Sequence, residues 1–213
     1  MPTTNTKAQD LAERRRLEIV HAAFAEFAER GYHNTGIADI ARRLAIGHGT
    51  FYRYFANKRD ILVHVLDHTV DRLRAVVARD APTAAGTLAE YRAQVERIGY
   101  AMFDLFVEDP QLMRMCFVEP MSVDAELAER VLATHEAMSA LTQEYLRNGV
   151  RRGFLRTDLD TAVTAQAVNG MVVAAGLSLL RAPADRERWV RAVTALMFDG
   201  IAGSSAGGAQ PEE

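Results

Sequence analysis

The sequence predicts an all-α protein. Apolar residues recur at the three- and four-residue spacing of a helix along almost the whole chain, and no stretch alternates as a half-buried strand would. Turn and capping residues divide this pattern into nine stretches, so we expect nine helices. Three small helices and the start of a fourth should form an N-terminal head, and the others a helical bundle.

Composition and charge narrow the class of protein. The chain of 213 residues is long enough to bury a core without disulfides, and Cys116 is its single cysteine. The net charge is −3, but the first 60 residues carry +3 and the remainder −6. A small nucleic-acid-binding head on an acidic body would have this distribution. The N-terminus lacks the apolar core of a signal peptide, so we expect a cytoplasmic protein.

The helices of the head are delimited by local signals. Gly31 is expected to end helix 1, and Asn57 is expected to cap helix 4. The predicted ranges of helices 1 to 4 are 11–30, 37–44, 48–55 and 57–79.

Five more helices are predicted in the body. Helix 5 begins near Leu88, Pro110 should occupy the first turn of helix 6, and helix 7 should span 122–152 before Gly153. Asp158 or Asp160 should cap helix 8, which reaches residue 181, and Pro183 should begin helix 9, which ends near residue 201. The apolar run 162–180 contains four polar residues, so we interpret it as a buried helix and not a membrane span.

Residues 37–58 have the pattern of a DNA-binding helix-turn-helix. Phe51 and Phe55 lie four residues apart and should anchor helix 3 in the head. The other side chains of this helix then face elsewhere, and two tyrosines offer hydroxyl groups and flat surfaces to the major groove. Lys58 lies in the first turn of helix 4, where a helix dipole disfavours a cation, so a nearby phosphate would explain its position.

The segment of residues 16–66 resembles the DNA-binding head of the TetR family of bacterial transcription regulators. The matching residues are IVHAAFAEFAERGYHNTGIADIA and, beyond the turn, GTFYRYFANKRDIL. A Gly-aromatic pair, an Ile-Ala pair, a Gly-Thr-aromatic-Tyr run and a Phe-x-x-Lys ending occur at the spacings of the family. This segment covers about a quarter of the chain.

The resemblance implies a nine-helix TetR-like subunit that acts as a homodimer, binds a double-stranded DNA operator and usually represses transcription. It implies a DNA-binding domain over 11–60, with the helix-turn-helix at about 36–55. A ligand-sensing and dimerisation domain would span 61–203, and 204–213 would be a disordered tail. The expected DNA contacts are Gly36, Ala38, Gly47, His48, Gly49, Thr50, Tyr52, Arg53, Tyr54 and Lys58.

Three positions differ from the usual pattern of the family. Ala45 occupies the place of a turn glycine, and a left-handed conformation there would cost about 1 kcal/mol. Gly36 and Gly47 occupy positions where Ser or Thr usually caps helices 2 and 3. Glycine is a nearly equivalent cap, but it removes a hydroxyl group that could contact phosphate. Only backbone N–H groups could then contact DNA at these two sites.

The body is rich in methionine and aromatic residues, which suit an adaptable apolar pocket. The resemblance implies a small-molecule effector there, whose binding would tilt helix 4 and release DNA. Ordinary core packing is the alternative for each residue, and Asn169 in particular could bond a ligand, the core or a dimer partner. The candidate ligand residues are Met102, Phe103, Phe106, Met113, Phe117, Met138 and Asn169.

Helices 8 and 9 are predicted to form a four-helix interface with a second subunit. Small residues on helix 8 would let the partner approach closely, although the same residues could serve packing within one subunit. The candidate interface residues are Gly170, Ala174, Leu177, Trp189, Val193, Leu196 and Met197.

The sequence contains no phosphate-binding loop, nucleophile elbow or metal motif, so we expect neither an enzyme nor a cofactor. His64 and His68 have the i, i+4 spacing of a chelating pair, but no further ligands are evident and no metal site is predicted. We expect a DNA operator, a small effector and a second subunit as partners, and no membrane. The alternative is an intracellular ligand-binding helical protein with weakened DNA binding.

Overall fold

A computed structural model describes residues 4–182 and 185–200, and this part of the chain is built from helices without a strand. The all-α prediction is confirmed, and nine α-helices occur in the predicted order. A 3-10 turn, Pro120–Ser122, follows α6. The helices are α1 Thr4–Arg30, α2 Ile37–Arg43, α3 His48–Tyr52, α4 Lys58–Val77, α5 Leu88–Glu108, α6 Leu112–Phe117, α7 Ala125–Arg152, α8 Thr161–Leu179 and α9 Arg186–Phe198.

The predicted capping and terminating residues lie at the observed ends of helices. Gly31 and Gly153 adopt φ angles of 79° and 76°, the left-handed conformation in which glycine ends a helix without strain. The Asn57 side chain accepts a hydrogen bond of 2.8 Å from the backbone N–H of Asp60 and so caps α4. Of the two candidates at α8, Asp160 is the cap, since its carboxylate accepts bonds from two N–H groups of the first turn.

Several predicted boundaries were wrong. The α1 helix begins before residue 11, at Thr4. Pro110 precedes α6 by two residues, and α7 begins after an Asp124 cap, later than predicted. Asp185 caps α9, whereas Pro183, like the tail 204–213, lies outside the described residues. At α7 and α9 a side-chain cap, and not the apolar pattern, sets the first residue.

Two buried clusters organise the chain. The first, the head cluster, is formed by aromatic and branched side chains of the segment from α1 through α4. It also includes the fully buried Met115 of α6. The second, the body cluster, is formed by α4 to α8 and includes Met113 and Cys116 of the same short helix. The α6 helix therefore contributes side chains to both clusters, and the long α4 helix runs through both.

The α8 helix is not the buried helix that the sequence predicted. It is long and apolar enough to cross a membrane by length and composition, yet only 17% of that window is buried in the subunit. Val163 is 60% exposed, and Gly170 and Ala174 are also exposed. Its apolar composition therefore produces an uncovered surface and not a core.

Candidate DNA-binding head and ligand cavity

The turn between α2 and α3 is closed by backbone bonds. The N–H of Ile46 donates to the carbonyl of Ala41 at 3.0 Å, and that of Ala45 donates to Arg42 at 3.1 Å. Ala45 has a φ of 53°, which makes it the one non-glycine residue of the described chain with a positive φ. The left-handed turn anticipated from the sequence is therefore present, and here an alanine bears its strain.

The α3 helix divides into a buried and an exposed face. Phe51 is fully buried and Phe55 is 1% exposed, whereas Tyr52 is 55% exposed. His48 and Arg53 are also exposed, and Thr50 is half-buried. The helix ends at Tyr52, so the predicted extension to residue 55 was too long. The five residues of α3 and the turn that follows them present one polar face outward, while Phe51 and Phe55 hold the other face in the core.

Tyr54 and Lys58 are more constrained than Tyr52. Tyr54 is half-buried against the head cluster, and its carbonyl accepts a hydrogen bond from Arg16. The Lys58 ammonium donates to the carbonyl of Tyr32 at 2.9 Å and lies 4.3 Å from the centroid of that ring. These contacts explain the cation in the first turn of α4 without a phosphate. A phosphate contact by Lys58 stays a prediction.

The glycines at the starts of α2 and α3 leave their backbones accessible. Gly36 donates its N–H to the Asp39 carboxylate at 2.8 Å, so this group is already bonded. No atom lies within 4 Å of the positions that a Cβ would take at Gly47 and Gly49. With Ala38 exposed on α2, these residues form an open edge that a duplex can approach closely.

Most arginines of the head are held in ion pairs, and this limits which cations are free. Arg43 donates to the Glu29 carboxylate at 2.7 Å and to Glu26 at 3.0 Å. Within residues 4–182 and 185–200, Arg53 forms no ion pair and is exposed beside Tyr52. It is therefore a cation at the C-terminal end of α3 that is available to an anion.

An apolar cavity occupies the body. It is bounded by α4 to α9, and the space in it that a water molecule can reach is about 140 Å³. All seven candidate ligand residues lie on its wall, although binding there stays a prediction. The sequence missed a polar group on α7, where His135 and Thr142 also line the cavity. Their spacing of seven residues places them on one helical face with Met138, a signal that was available in the sequence.

Asn169 bonds within its own subunit. Its amide nitrogen lies 3.2 Å from the hydroxyl oxygens of both Ser139 and Thr142, and 3.1 Å from the carbonyl of Ala165. These acceptors satisfy the amide nitrogen without a partner chain. Since Asn169 and Thr142 also line the cavity, they form a polar spot in an otherwise apolar wall.

Three residues predicted at the dimer interface line the cavity. Trp189, Val193 and Met197 line its wall from α9, because the helix turns its broad apolar side toward α5. Leu177 is half-buried against the body cluster. Gly170, Ala174 and Leu196 remain on the outer surface, and Leu196 is 42% exposed.

Buried polar contacts join the head to the body. The Glu119 side chain is 8% exposed; one oxygen accepts from the backbone N–H of Tyr32 at 3.0 Å and the other from Arg114 at 2.6 Å. A second tie joins α4 to the start of α7, where the Arg59 guanidinium lies 2.7 Å from Asp124 and lowers the pKa of that carboxyl to about 2. Movement of α6 or α7 would therefore reach the head directly.

The fold and the head define a class, the helix-turn-helix regulators with a helical body. The family described as "Bacterial regulatory proteins, tetR family" matches residues 19–65. That match covers α1 beyond Ile19, the whole helix-turn-helix and the start of α4. The head of the chain is therefore a TetR-family domain.

Curated relatives agree with this assignment. The chain is 30% identical over 125 residues to the "HTH-type transcriptional activator FasR" of Mycolicibacterium smegmatis, which covers 59% of this chain but only 55% of that protein. It is 23% identical over 156 residues to the "Fatty acid metabolism regulator protein" of Bacillus subtilis, covering 73% and 78% of the two chains. These relatives are regulators and not enzymes.

The solved structure of the regulator FadR from Bacillus subtilis, in complex with stearoyl-CoA, has the same fold. Its TM-score is 0.71 at 22% identity, and the match covers 87% of this chain and 99% of that one. At this identity the likeness establishes the architecture of the whole subunit.

Proposed function

We propose that this protein is a ligand-responsive, sequence-specific DNA-binding regulator that acts in the cytoplasm as a homodimeric repressor and has no enzymatic activity. The observation that carries the proposal is the division of α3 and the turn after it, where Phe51 and Phe55 are buried while Tyr52 and Arg53 are exposed beside open glycines. A helix anchored in this way can place its polar side chains in the major groove. The TetR-family head and the regulators among its relatives support the proposal.

The test is binding to the DNA upstream of its own gene, measured by fluorescence anisotropy against a random duplex of equal length. We expect a preference of at least about a thousandfold at physiological salt. The logarithm of the affinity should fall with the logarithm of salt by about 0.9 for each phosphate contact. Half-sites should lie about 34–36 Å apart, or a multiple of this distance. Equal affinity for both duplexes would refute sequence-specific binding.

The direction of regulation has a separate test. We expect transcription from the bound promoter to fall when the protein is added to a purified transcription system and to recover with effector. An increase would instead make the protein an activator, as the name of FasR states for that relative.

The effector we propose is a long-chain acyl compound such as an acyl-CoA. The cavity wall is almost wholly apolar, and Asn169 and Thr142 provide one polar spot. The relative from Bacillus subtilis is named a fatty acid metabolism regulator, and the structure of FadR contains stearoyl-CoA. At a concentration 100 times its Kd, such a ligand should stabilise the fold by about 2.7 kcal/mol.

Thermal melts with stearoyl-CoA, free coenzyme A and stearate test whether the acyl chain or the coenzyme A part of the ligand stabilises the protein. We expect a shift with the acylated compound and none with free coenzyme A, because only the chain fills the apolar cavity. No shift with any acyl compound would exclude this effector class and would leave the DNA-binding proposal intact.

The α6 helix is the element we propose to transmit the signal. Met113 and Phe117 line the cavity, Met115 is buried in the head cluster, and Glu119 bonds to Tyr32. A ligand that displaces Met113 would therefore move groups that hold the head. Glu119→Gln should weaken the effect of effector on DNA affinity, while DNA binding without effector remains.

The second candidate is a ligand-binding helical protein with weakened DNA binding. The strained Ala45 and the glycine caps at Gly36 and Gly47 favour it, since they differ from the usual pattern of the family. The anisotropy experiment separates the two, because this candidate predicts ligand stabilisation without operator preference.

A further inference from the structure

Two histidines that are 47 residues apart in sequence meet between α1 and α4. The Nε2 atoms of His21 and His68 lie 3.1 Å apart. The ring centroids are 4.8 Å apart, and the ring planes are tilted by 58°. Neither residue belongs to the DNA-binding face or to the cavity wall, so the proposed function leaves this pair unexplained.

The pair differs from the one that the sequence suggested. His64 has the chelating i, i+4 spacing to His68, but its Nε2 is 2.6 Å from the Arg16 guanidinium, which only donates. His64 therefore serves as the acceptor of Arg16. His68 faces His21 across the helix pair, away from that arginine.

The geometry of the two rings differs from that of a linear hydrogen bond. A straight N–H···N bond at this nitrogen separation would put the centroids about 5.4 Å apart. The observed 4.8 Å shows that the axes of the two rings do not lie along the line between the nitrogens. An atom about 2.0–2.1 Å from both nitrogens, the usual zinc–imidazole distance, would subtend an angle of about 100° between them. Angles near this value occur in tetrahedral and octahedral metal sites.

We propose that His21 and His68 form a two-histidine site for a divalent transition metal, such as Zn²⁺ or Ni²⁺, that links α1 to α4. Neutral imidazole is a ligand these ions favour. Burial, helped by His21 and the nearby Arg72, lowers the pKa of His68. Arg72 itself is paired with Asp109, which reduces its repulsion of a cation.

Water completes the coordination. In the described part of the chain no cluster of three or more His, Cys, Asp or Glu residues is placed to hold a metal. His21 is exposed, so open coordination positions face solvent. The site therefore differs from a closed structural zinc site, which has four protein ligands. Metal binding would cross-link α1, a helix of the head, to α4, the helix whose far end lines the cavity.

The test is calorimetric titration of the full-length, tag-free protein with ZnCl₂ after chelator treatment. We expect one zinc ion per subunit. His21→Gln and His68→Gln should each weaken binding at least tenfold, whereas His48→Gln, an exposed histidine on α3, should bind zinc as the unmodified protein does. Undiminished binding by His21→Gln and His68→Gln, or no binding by the unmodified protein, would overturn the proposal.

Thermal melting gives a second measurement that does not depend on DNA or effector. Because the paired geometry exists only in the folded chain, free zinc at about 100 times its Kd should raise the Tm by roughly 5–10 °C. The rise should be absent in His68→Gln, whose melt without metal checks that the variant folds. The same rise in His68→Gln would place the zinc elsewhere and refute this site.

Discussion

Adjacent aromatic residues of α3 have opposite roles, and substitution separates them. Tyr52 is 55% exposed, so Tyr52→Ala should change stability by no more than about 0.5 kcal/mol. The same change should weaken operator binding at least tenfold, because we propose that the removed ring and hydroxyl contact the groove. Phe51→Ala should cost about 3–5 kcal/mol of folding free energy. Paired melts and anisotropy titrations check both; equal loss of stability in the two variants would show that Tyr52 is a core residue.

Ala45 offers a stabilising substitution in the turn. Its φ of 53° is costly for alanine and free for glycine, so Ala45→Gly should stabilise the protein by about 1 kcal/mol. For a chain of this length the Tm should rise by about 2–4 °C. Ala133→Gly, on an exposed position within α7, is the matched control and should lower stability by about 1 kcal/mol. Two variants that shift the Tm in the same direction would contradict the assigned strain.

At the scale of elements, the contact between α6 and α8 depends on one glycine. A Cβ at Gly176 would overlap Cγ of Met113, so Gly176→Ala must displace that side chain of α6. We expect a loss of about 1–3 kcal/mol from overpacking. Since Met113 lines the cavity and α6 adjoins the head, effector binding and DNA affinity should both change.

Gly170→Ala is the control on the same helix. No atom of the subunit lies within 4 Å of the position of a Cβ there, so alanine should stabilise α8 by up to about 1 kcal/mol. Thermal melts should therefore shift in opposite directions for the two variants. If both lowered the Tm equally, the contact with Met113 would not be the cause; size-exclusion chromatography identifies any effect on dimerisation.

At the scale of the whole molecule, the uncovered face of α8 and α9 is where we expect the second subunit. Leu196 is 42% exposed there, so Leu196→Glu should leave the subunit folded but place a charge in the interface. We expect a shift from dimer to monomer in analytical ultracentrifugation, and weaker operator binding. Leu132→Glu is the control, because this leucine belongs to α7 and not to α8 or α9, and it is 50% exposed. A dimer retained in Leu196→Glu would place the interface elsewhere.

The uneven exposure of α8 shows a property that the sequence does not determine, namely which surface buries its apolar residues. Its composition is that of a buried or membrane-spanning helix, and the sequence favoured burial. The apolar content of a helix indicates how much of its surface must be buried. It does not indicate whether the same chain or a second subunit buries that surface. The same limit applies to Trp189, whose indole faces the cavity although its spacing also suited an interface.

The sequence by itself determined the features that depend on neighbouring residues. Helix order, the αL glycines at 31 and 153, the Asn57 cap and the buried phenylalanines of α3 follow from short-range spacing and conformational preference. Only the tertiary structure decided the contacts between distant segments. His68 meets His21 and not His64, and Lys58 bonds to Tyr32, because the packing angle of α1 on α4 sets which side chains meet. That angle results from the whole buried cluster, and no local pattern encodes it.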